Sequence, residues 1–262
     1  MIRKKRQKGD VMGLFTRNTA VKQKNGYCLK WDIHTHILPG IDDGSPNLAA
    51  TEQMLQRLVS QGVENLCVTP HFFSKEQSIA SFLKGRDAAL KKMLSIVPPE
   101  IRKVIPGAEV AYFPGMLHCE ELGKLCYEGT STLLLEMPYE DWDRQTADEV
   151  VDLVMEGKYR VILAHPERFA DSKINQMYIV EFAQLPMAFQ ANGNPFLHRF
   201  GKNRALNILR LSDTPMLASD THDLRGRTPQ TREAGDVVRK ALGTEFLRQM
   251  DRNAAEWVCP QE

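Results

Sequence analysis

From residue 29 onward, short apolar runs alternate with longer stretches in which apolar residues recur at helical spacing. The short runs predict β-strands and the longer stretches predict helices. We predict seven strands, near residues 29–33, 66–68, 104–105, 133–135, 161–163, 187–190 and 216–217. The predicted helices lie near residues 45–61, 75–96, 115–125, 146–155, 174–185, 203–211, 231–241 and 244–257. In the first helix, Ser45 is the expected N-cap and Pro46 the first helical residue.

Regular alternation of strands and helices predicts parallel strands in an α/β fold. Two architectures are compatible with it, a closed barrel and an open doubly wound sheet. In an open sheet, ligands gather mainly at the switch point of the strand order. Here nearly every predicted strand is followed by a residue that can bind a metal, as expected where all strand ends surround one mouth. We therefore predict a distorted (βα)7 TIM-like barrel with a metal cluster at the C-terminal ends of its strands.

Histidines and carboxylates stand directly behind the apolar runs. The candidate metal ligands, in chain order, are His34, His36, His71, Glu109, Glu136, His165, Asp220 and His222. The first two and the last two are each spaced i, i+2, and side chains at that spacing on a strand point to the same face. A lone histidine is more often a satisfied or exposed residue, but so many ligand-type residues at strand ends predict one shared metal site.

The mixture of ligand types indicates which kind of metal site the sequence predicts. Structural zinc sites are closed and often contain cysteine. Imidazole and carboxylate ligands without thiolate suit Mn²⁺, Fe²⁺ or Zn²⁺ in a hydrolytic site. Glu109 is the candidate for a carboxylate that bridges two metals. Asp42 and Asp43 follow the first histidine pair, and we assign Asp43 as a further ligand; the alternative is a simple turn closed by Gly44 and Ser45.

Two arginines and two aromatic residues accompany these ligands. Arg168 lies three residues after His165, and Arg227 lies five after His222. A guanidinium so near metal cations is expected only with an anion present, so both are candidates for phosphate binding, although either alone is more often a surface residue. Tyr139 and Trp142 are candidates to line the pocket and stack on a substrate ring.

Composition narrows the functional classes. The 262 residues suit one large domain, and 42% hydrophobic with 26% charged residues is ordinary for a globular protein. A net charge of +1 gives no electrostatic basis for nucleic-acid binding. Neither a membrane-spanning run nor a signal-peptide core is recognisable, so we expect a cytoplasmic protein. Residues 1–27 are basic and lack periodicity, which predicts a flexible tail before a domain at 28–262; Met12 could be the start.

Cysteine chemistry is not indicated. The five cysteines form no C-x-x-C pair, and none is followed six residues later by arginine, as a cysteine-dependent phosphatase requires. We expect most of them to be buried or incidental thiols.

Six motifs together resemble a known superfamily. In chain order they are DIHTHILPGIDDGS, TPH, PGAEV, LLLEMP, AHPER and ASDTHD. They resemble the PHP superfamily (polymerase and histidinol phosphatase) and, more narrowly, its capsular-polysaccharide branch, the bacterial metal-dependent protein tyrosine phosphatases of the CpsB/YwqE type. The resemblance extends from Trp31 to Trp257. One segment, residues 190–200, differs from the small Ser- and Gly-rich segment that the family pattern leads us to expect, and we predict that its His198 lies on the surface.

The resemblance implies a fold, a cofactor and a substrate. It implies a seven-stranded distorted barrel holding three divalent ions, commonly Mn²⁺, with Fe, Zn, Mg or Co as alternatives. It also implies a substrate, phosphotyrosine on the tail of a bacterial tyrosine kinase that controls polysaccharide export. The implied ligand sets are His34, His36, Glu109 and Asp220 for one metal, Glu109, Glu136 and His165 for a second, and Asp43, His71 and His222 for a third.

The resemblance also assigns roles around the metals. Arg168 and Arg227 match the family's phosphate-binding arginines. Apart from the resemblance, the sequence leaves two candidates for the proton donor to the leaving group, His222 and a metal-bound water. A small-molecule phosphatase such as a histidinol phosphatase would share every ligand and is the alternative enzyme. A non-catalytic, metal-stabilised binding module is the alternative outside the enzymes.

Overall fold

The structure, a computed structural model, describes residues 26–260. Its strands are Trp31–Asp32 (β1), Asn65–Val68 (β2), His71–Phe72 (β3), Lys103–Pro106 (β4), Glu109–Ala111 (β5), Thr132–Glu136 (β6), Arg160–Ala164 (β7), Ala188–Asn192 (β8) and Pro215–Ala218 (β9). Its α-helices are Leu48–Gln61 (α1), Ile79–Leu94 (α2), Arg144–Met155 (α3), Lys173–Phe182 (α4), Arg199–Leu211 (α5), Thr231–Leu242 (α6) and Thr244–Val258 (α7). Within the described part, no helix combines the length and apolarity needed to cross a bilayer.

Most of the predicted basic tail, residues 1–25, lies outside the described residues. Its last residue, Tyr27, is described and packs against the cluster of apolar side chains that α5, α6 and α7 share. The Tyr27 hydroxyl donates to the Asp251 carboxylate of α7 at 2.5 Å. Tyr27 therefore belongs to the packed part of the chain.

All strand pairings are parallel, which confirms the predicted α/β class. One sheet has the order β1-β2-β4, and the other has the order β3-β5-β6-β7-β8-β9. Beyond the last strand, the backbone amide of Asp220 donates to the His34 carbonyl at 2.9 Å, and that of His36 donates to Thr221 at 2.9 Å. These bonds bring the segment after β9 beside the segment after β1.

Seven predicted strands correspond to nine observed ones because the second and third are each interrupted. β2 and β3 are separated by Thr69 and Pro70, and β4 and β5 by Gly107 and Ala108. Proline has no N–H to continue a regular ladder. Backbone bonds still cross both breaks, from Gly107 to Val68 at 2.9 Å and from Glu109 to Pro70 at 3.1 Å. Each pair of short strands therefore acts as one bent strand.

Two details of the predicted helices are wrong. Residues 115–125 form short 3₁₀ turns, Met116–His118 and Leu122–Leu125, rather than an α-helix. Gly115 lies in the left-handed region at φ 76° and permits the turn there. The N-cap of α1 is Asn47 rather than Ser45. Ser45 is instead part of the turn next to the site, where its amide donates to the His36 carbonyl at 2.9 Å.

The core supports the strand ends. Every residue of β6, β8 and β9 is buried, as expected for parallel strands covered on both faces. An inner cluster joins the strands to α7; it consists of Trp31, Ile33, Cys67, Ile105, Tyr127, Leu134, Ile162, Ala164, Ala188, Met216, Ala218, Ala254, Trp257 and Val258. The Tyr127 hydroxyl donates to the Ile33 carbonyl at 2.8 Å and so fixes the backbone just before His34.

Candidate metal centre

The predicted ligands meet at one end of the strands. Residues 34 and 36 follow β1, residue 136 ends β6, residue 165 follows β7, and residues 220 and 222 follow β9. Residues 71 and 109 begin β3 and β5, which are the C-terminal halves of the two bent strands. Parallel strands place all these ends on the same side of the fold, which explains how positions nearly 190 residues apart in sequence come together.

Three overlapping groups of side chains could each hold a metal ion. In each group one donor atom per residue lies within 4.8 Å of the others. The groups are His34, His36, Glu109 and Asp220; His36, Asp43, His71 and His222; and His71, Glu109 and Glu136. The first equals an implied ligand set, the second adds His36 to one, and the third contains His71 where His165 was expected. His165 is nevertheless close, with Nε2 at 2.8 Å from Glu109 and 3.5 Å from Glu136.

Glu109 lies at the centre of these groups and is fully buried. Its Oε1 faces His165 at 2.8 Å. Its Oε2 lies 3.2 Å from His34 Nε2, 3.1 Å from His36 Nε2 and 3.0 Å from His71 Nδ1. One carboxylate that faces four imidazoles with both oxygens has the position required of a ligand shared between metals.

Hydrogen bonds within the described chain do not satisfy this centre. Among the buried side-chain atoms without such a partner are His71 Nδ1, Glu109 Oε2, His165 Nδ1, Asp220 Oδ1 and His222 Nε2. The Nε2 atoms of His34 and His36 lie only 3.1 Å apart. Buried polar atoms are ordinarily paired, and an unpaired one is costly. Lone pairs of imidazole and carboxylate directed at common points fit divalent cations.

Electrostatics divide the carboxylates into two kinds. Burial would raise the pKa of Glu109, but the charge on His34 and the hydrogen bond from His165 hold it well below its usual range. Asp220 behaves similarly: burial opposes ionisation, and the charges of His34 and Arg168 keep its pKa low. Burial and the nearby Glu109 charge instead raise the pKa of Glu136 to about 7. Two carboxylates this close disfavour each other's ionisation unless cations compensate their charge.

Backbone strain is present at two of the ligands. His165 has φ 34° and Asp220 has φ 50°, both in the left-handed region that non-glycine residues rarely adopt. His165 immediately follows β7, and Asp220 lies two residues after the end of β9. Strain of this kind is retained where the surrounding structure holds it, and it is commonly found at functional sites.

Asp42, the aspartate not chosen from the sequence, contacts the candidate ligands His36 and His71. Its Oδ2 lies 2.8 Å from His36 Nδ1 and accepts from the His71 amide at 3.2 Å, while Oδ1 accepts from the Gly44 amide at 2.9 Å. These contacts fix the rotation of the His36 ring and leave Nε2 for the centre. Asp43 faces the centre, with Oδ1 at 3.5 Å from His71 and 3.4 Å from His222.

A polar pair on β8 also supports the ligands and was missed from the sequence. Gln190 Oε1 lies 2.9 Å from His34 Nδ1, and the Gln190 amide donates to Asn192 at 2.8 Å. Asn192 donates in turn to Asp220 Oδ2 at 2.7 Å. The only sequence signal was that this segment departs from the expected family pattern. His198, in the same segment, is exposed as predicted.

Both candidate arginines are held by a ligand carboxylate. Arg168 donates to Asp220 Oδ2 at 2.5 Å and to the Tyr139 hydroxyl at 3.1 Å. Arg227 donates to Asp43 Oδ2 at 2.5 Å. In each aspartate, the other oxygen faces the imidazoles of the centre. The two guanidinium groups thus stand beside the donor cluster, where an anion would be neutralised from two sides.

A cavity of about 630 Å³ opens over the cluster. Both arginines line it, together with aromatic side chains that include Phe73, Tyr112, Tyr139 and Trp142. Tyr139 is 64% exposed, but Trp142 is only 3% exposed and stacks on Phe182 with ring centroids 5.9 Å apart. The expected stacking of Trp142 on a substrate is therefore corrected: its ring belongs to the core beneath the cavity.

The fold and donor set define a class of parallel α/β proteins that gather several metal-binding side chains at the strand ends. Within this class the family is clear. Residues 30–259 match the family described as capsular polysaccharide synthesis, CpsB/CapC, and the chain belongs to that family. The family resemblance predicted from the sequence motifs is thus confirmed.

Named relatives support the assignment. The chain is 29% identical to the tyrosine-protein phosphatase YwqE of Bacillus subtilis over 231 residues, covering 85% of this chain and 89% of YwqE. It is 26% identical to the tyrosine-protein phosphatase CpsB of Streptococcus pneumoniae over 234 residues, covering 84% and 93%. A crystal structure from work on YwqE and CpsB, described as unique metal-dependent tyrosine phosphatases, superposes with a TM-score of 0.75 at 26% identity, covering 88% of this chain and 95% of that one.

Proposed function

We propose that this chain is a metal-dependent protein tyrosine phosphatase acting in the cytoplasm on the phosphotyrosine tail of a bacterial tyrosine kinase that controls capsular or exopolysaccharide synthesis. Family membership and relatives named tyrosine-protein phosphatases support the reaction. The single observation that carries it is the pairing of two arginines with ligand-type aspartates at the mouth of one aromatic cavity.

Nine residues would hold the metals, which we propose to be three Mn²⁺ ions. They are His34, His36, Asp43, His71, Glu109, Glu136, His165, Asp220 and His222. Bound divalent ions would activate a water for attack on phosphorus and neutralise charge on the phosphate. The donor set is compatible with manganese, as with iron or zinc, because carboxylate and imidazole are both present and thiolate is absent from the cluster.

Arg168 and Arg227 would bind the non-bridging oxygens of the phosphate. A guanidinium fork matches phosphate geometry and remains charged at any relevant pH. As negative charge is redistributed in the transition state, preorganised donors stabilise it without reorganising. Tyr139 and Phe73, both exposed at the cavity, would contact the substrate ring.

His222 is better suited to binding a metal than to donating a proton. Burial and the neighbouring charge of His36 lower the pKa of His222 to about 3, so its ring is neutral and can offer a lone pair. A tyrosyl leaving group has an intrinsic pKa near 10 and needs less protonation than an alkoxide would. Proton donation by His222 is therefore not required for this substrate class.

Competition between substrates tests the proposal. Manganese-loaded protein would be assayed with a phosphotyrosyl peptide, a phosphoseryl peptide of the same sequence and histidinol phosphate. We expect the phosphotyrosyl peptide to have the highest kcat/KM. A clear preference for histidinol phosphate would assign the chain to the small-molecule phosphatases.

Two variants separate an enzyme from a binding module. H36A and D220A each remove a ligand and should abolish turnover while the chain stays folded by circular dichroism. Turnover that survives both changes would refute the metal mechanism. Absence of hydrolysis in the wild type with every substrate would favour a non-catalytic module.

A further inference from the structure

Arg168 is held at a second point by a residue outside the ligand set. One terminal nitrogen, Nη2, donates to Asp220, and the other, Nη1, donates to the Tyr139 hydroxyl at 3.1 Å. A guanidinium is planar, so a contact at each terminal nitrogen fixes both its position and its plane. Three of its five N–H groups remain for an anion at the cavity.

The Tyr139 hydroxyl also contacts a ligand carboxylate. It donates to Glu136 Oε1 at 3.2 Å while it accepts from Arg168. A hydroxyl has one donor and can accept at the same time, so both contacts coexist. Arg168 is consequently connected to two acids of the centre, to Asp220 directly and to Glu136 through one phenol.

The ring of Tyr139 is positioned independently of its hydroxyl. It packs edge-on against Phe169, with centroids 5.3 Å apart, and Phe169 is buried. Replacement by phenylalanine would therefore keep the ring in place and remove only the oxygen. This makes the contribution of the hydroxyl separable from that of the ring.

We propose that the Tyr139 hydroxyl is a positioning group that holds the Arg168 guanidinium between Asp220 and Glu136, so that its remaining N–H groups face a phosphate in the cavity. This inference rests on the proposed phosphate-binding role of Arg168. The hydroxyl acts through the arginine and contributes no proton to the reaction, whereas any contact with the substrate is made by the ring. Without its hydroxyl, Arg168 keeps one anchor, rotates about it, and loses part of its preorganisation.

A double-mutant cycle on phosphate binding tests the inference. Inorganic phosphate would be titrated calorimetrically into manganese-loaded wild type, Y139F, R168Q and the double variant, with manganese content measured for each. Arg227 remains in R168Q, so phosphate affinity stays measurable. KM and kcat for p-nitrophenyl phosphate give a second measurement on the same four proteins.

We expect Y139F to weaken phosphate binding about tenfold in the wild-type background and less than twofold in R168Q. KM for p-nitrophenyl phosphate should follow the phosphate affinity. The matched control is Y112F: Tyr112 lines the same cavity, but its hydroxyl donates to Glu149 at 2.9 Å, so phosphate affinity should not change.

Two results would overturn the inference. One is a phosphate affinity of Y139F within twofold of wild type. The other is an equal loss in both backgrounds, including a loss caused by reduced manganese content, because the hydroxyl would then act without Arg168. Failure of the proposed tyrosine phosphatase function would be seen separately, as phosphate binding without hydrolysis of a phosphotyrosyl peptide.

Discussion

Replacement of Glu109 by glutamine should weaken metal binding more than replacement of any other acid in the centre by its amide. Glu109 belongs to two of the three candidate ligand groups, and its oxygens lie between 2.8 and 3.2 Å from four imidazole nitrogens. Glutamine keeps the shape and one carbonyl oxygen, but it loses the negative charge and places an amide N–H where a donor atom is needed.

The expected magnitude follows from the lost charge. Two unit charges 4 Å apart interact by about 4 kcal/mol at an effective dielectric constant near 20. A loss of that size corresponds to roughly a thousandfold weaker binding. Since a shared ligand acts on more than one ion, we expect E109Q to retain fewer ions after dialysis and to lose at least about a thousandfold in kcat/KM.

The assay combines manganese content after dialysis, calorimetric titration of Mn²⁺ and phosphate release. E128Q is the matched control, because Glu128 is exposed and lies outside all three ligand groups. Far-ultraviolet circular dichroism establishes that each variant is folded. Wild-type manganese content together with wild-type turnover in E109Q would refute the shared-ligand role.

Three further predictions concern the surroundings of the centre. G44A should lower both the melting temperature and manganese affinity, because a Cβ at residue 44 would lie 2.0 Å from the His36 carbonyl oxygen; thermal denaturation and calorimetry measure the two effects, and an unchanged variant contradicts the packing. Burial raises the pKa of Glu167 to about 7, so the stability that it contributes is present below about pH 4.5 and lost as pH rises through 7. In urea unfolding of the metal-free proteins, the free energy of unfolding of the wild type should fall by up to about 3 kcal/mol over this range, and that of E167Q should not show this fall. Equal pH slopes in the two proteins would disprove the prediction. Iodoacetamide should leave turnover intact; inactivation that phosphate prevents would indicate thiolate chemistry.

The ligands could be predicted because their signal is local. A strand of a few apolar residues that ends in a histidine or an acid requires no knowledge of distant contacts. The i, i+2 spacing of His34 and His36 then places both rings on one face. Parallel strands bring all such ends to one side, so the strand-end positions implied convergence before any pairing was known.

The supporting residues could not be predicted because their partners are distant in sequence. Gln190 meets His34 across 156 residues, and Asn192 meets Asp220 through a pairing of β8 with β9. On a buried strand such amides are indistinguishable from ordinary polar residues. Asp42 poses the same difficulty: the sequence singled out only its neighbour Asp43 as a ligand, and the contact of Asp42 with His36 depends on how the turn closes.

The prediction of an α-helix at residues 115–125 was wrong for a related reason. Residues 115–125 have apolar residues at spacings that fit an α-helix, and this spacing alone predicted one. Gly115 and Gly123 weaken the helix locally, and the segment packs instead as two 3₁₀ turns against the main core cluster. The glycines and the packing against the core together favour the two turns over a continuous helix.

The arrangement of the two aspartates explains why arginines can lie so close to a metal centre. Asp220 and Asp43 each direct one oxygen at imidazoles of the cluster and the other at an arginine. The carboxylate therefore separates the two cations and attracts both. An ion at its inner oxygen and a phosphate at its arginine then act on the same side chain, so each changes the binding free energy of the other. Because such coupling is reciprocal, manganese should raise phosphate affinity by the same factor by which phosphate raises manganese affinity.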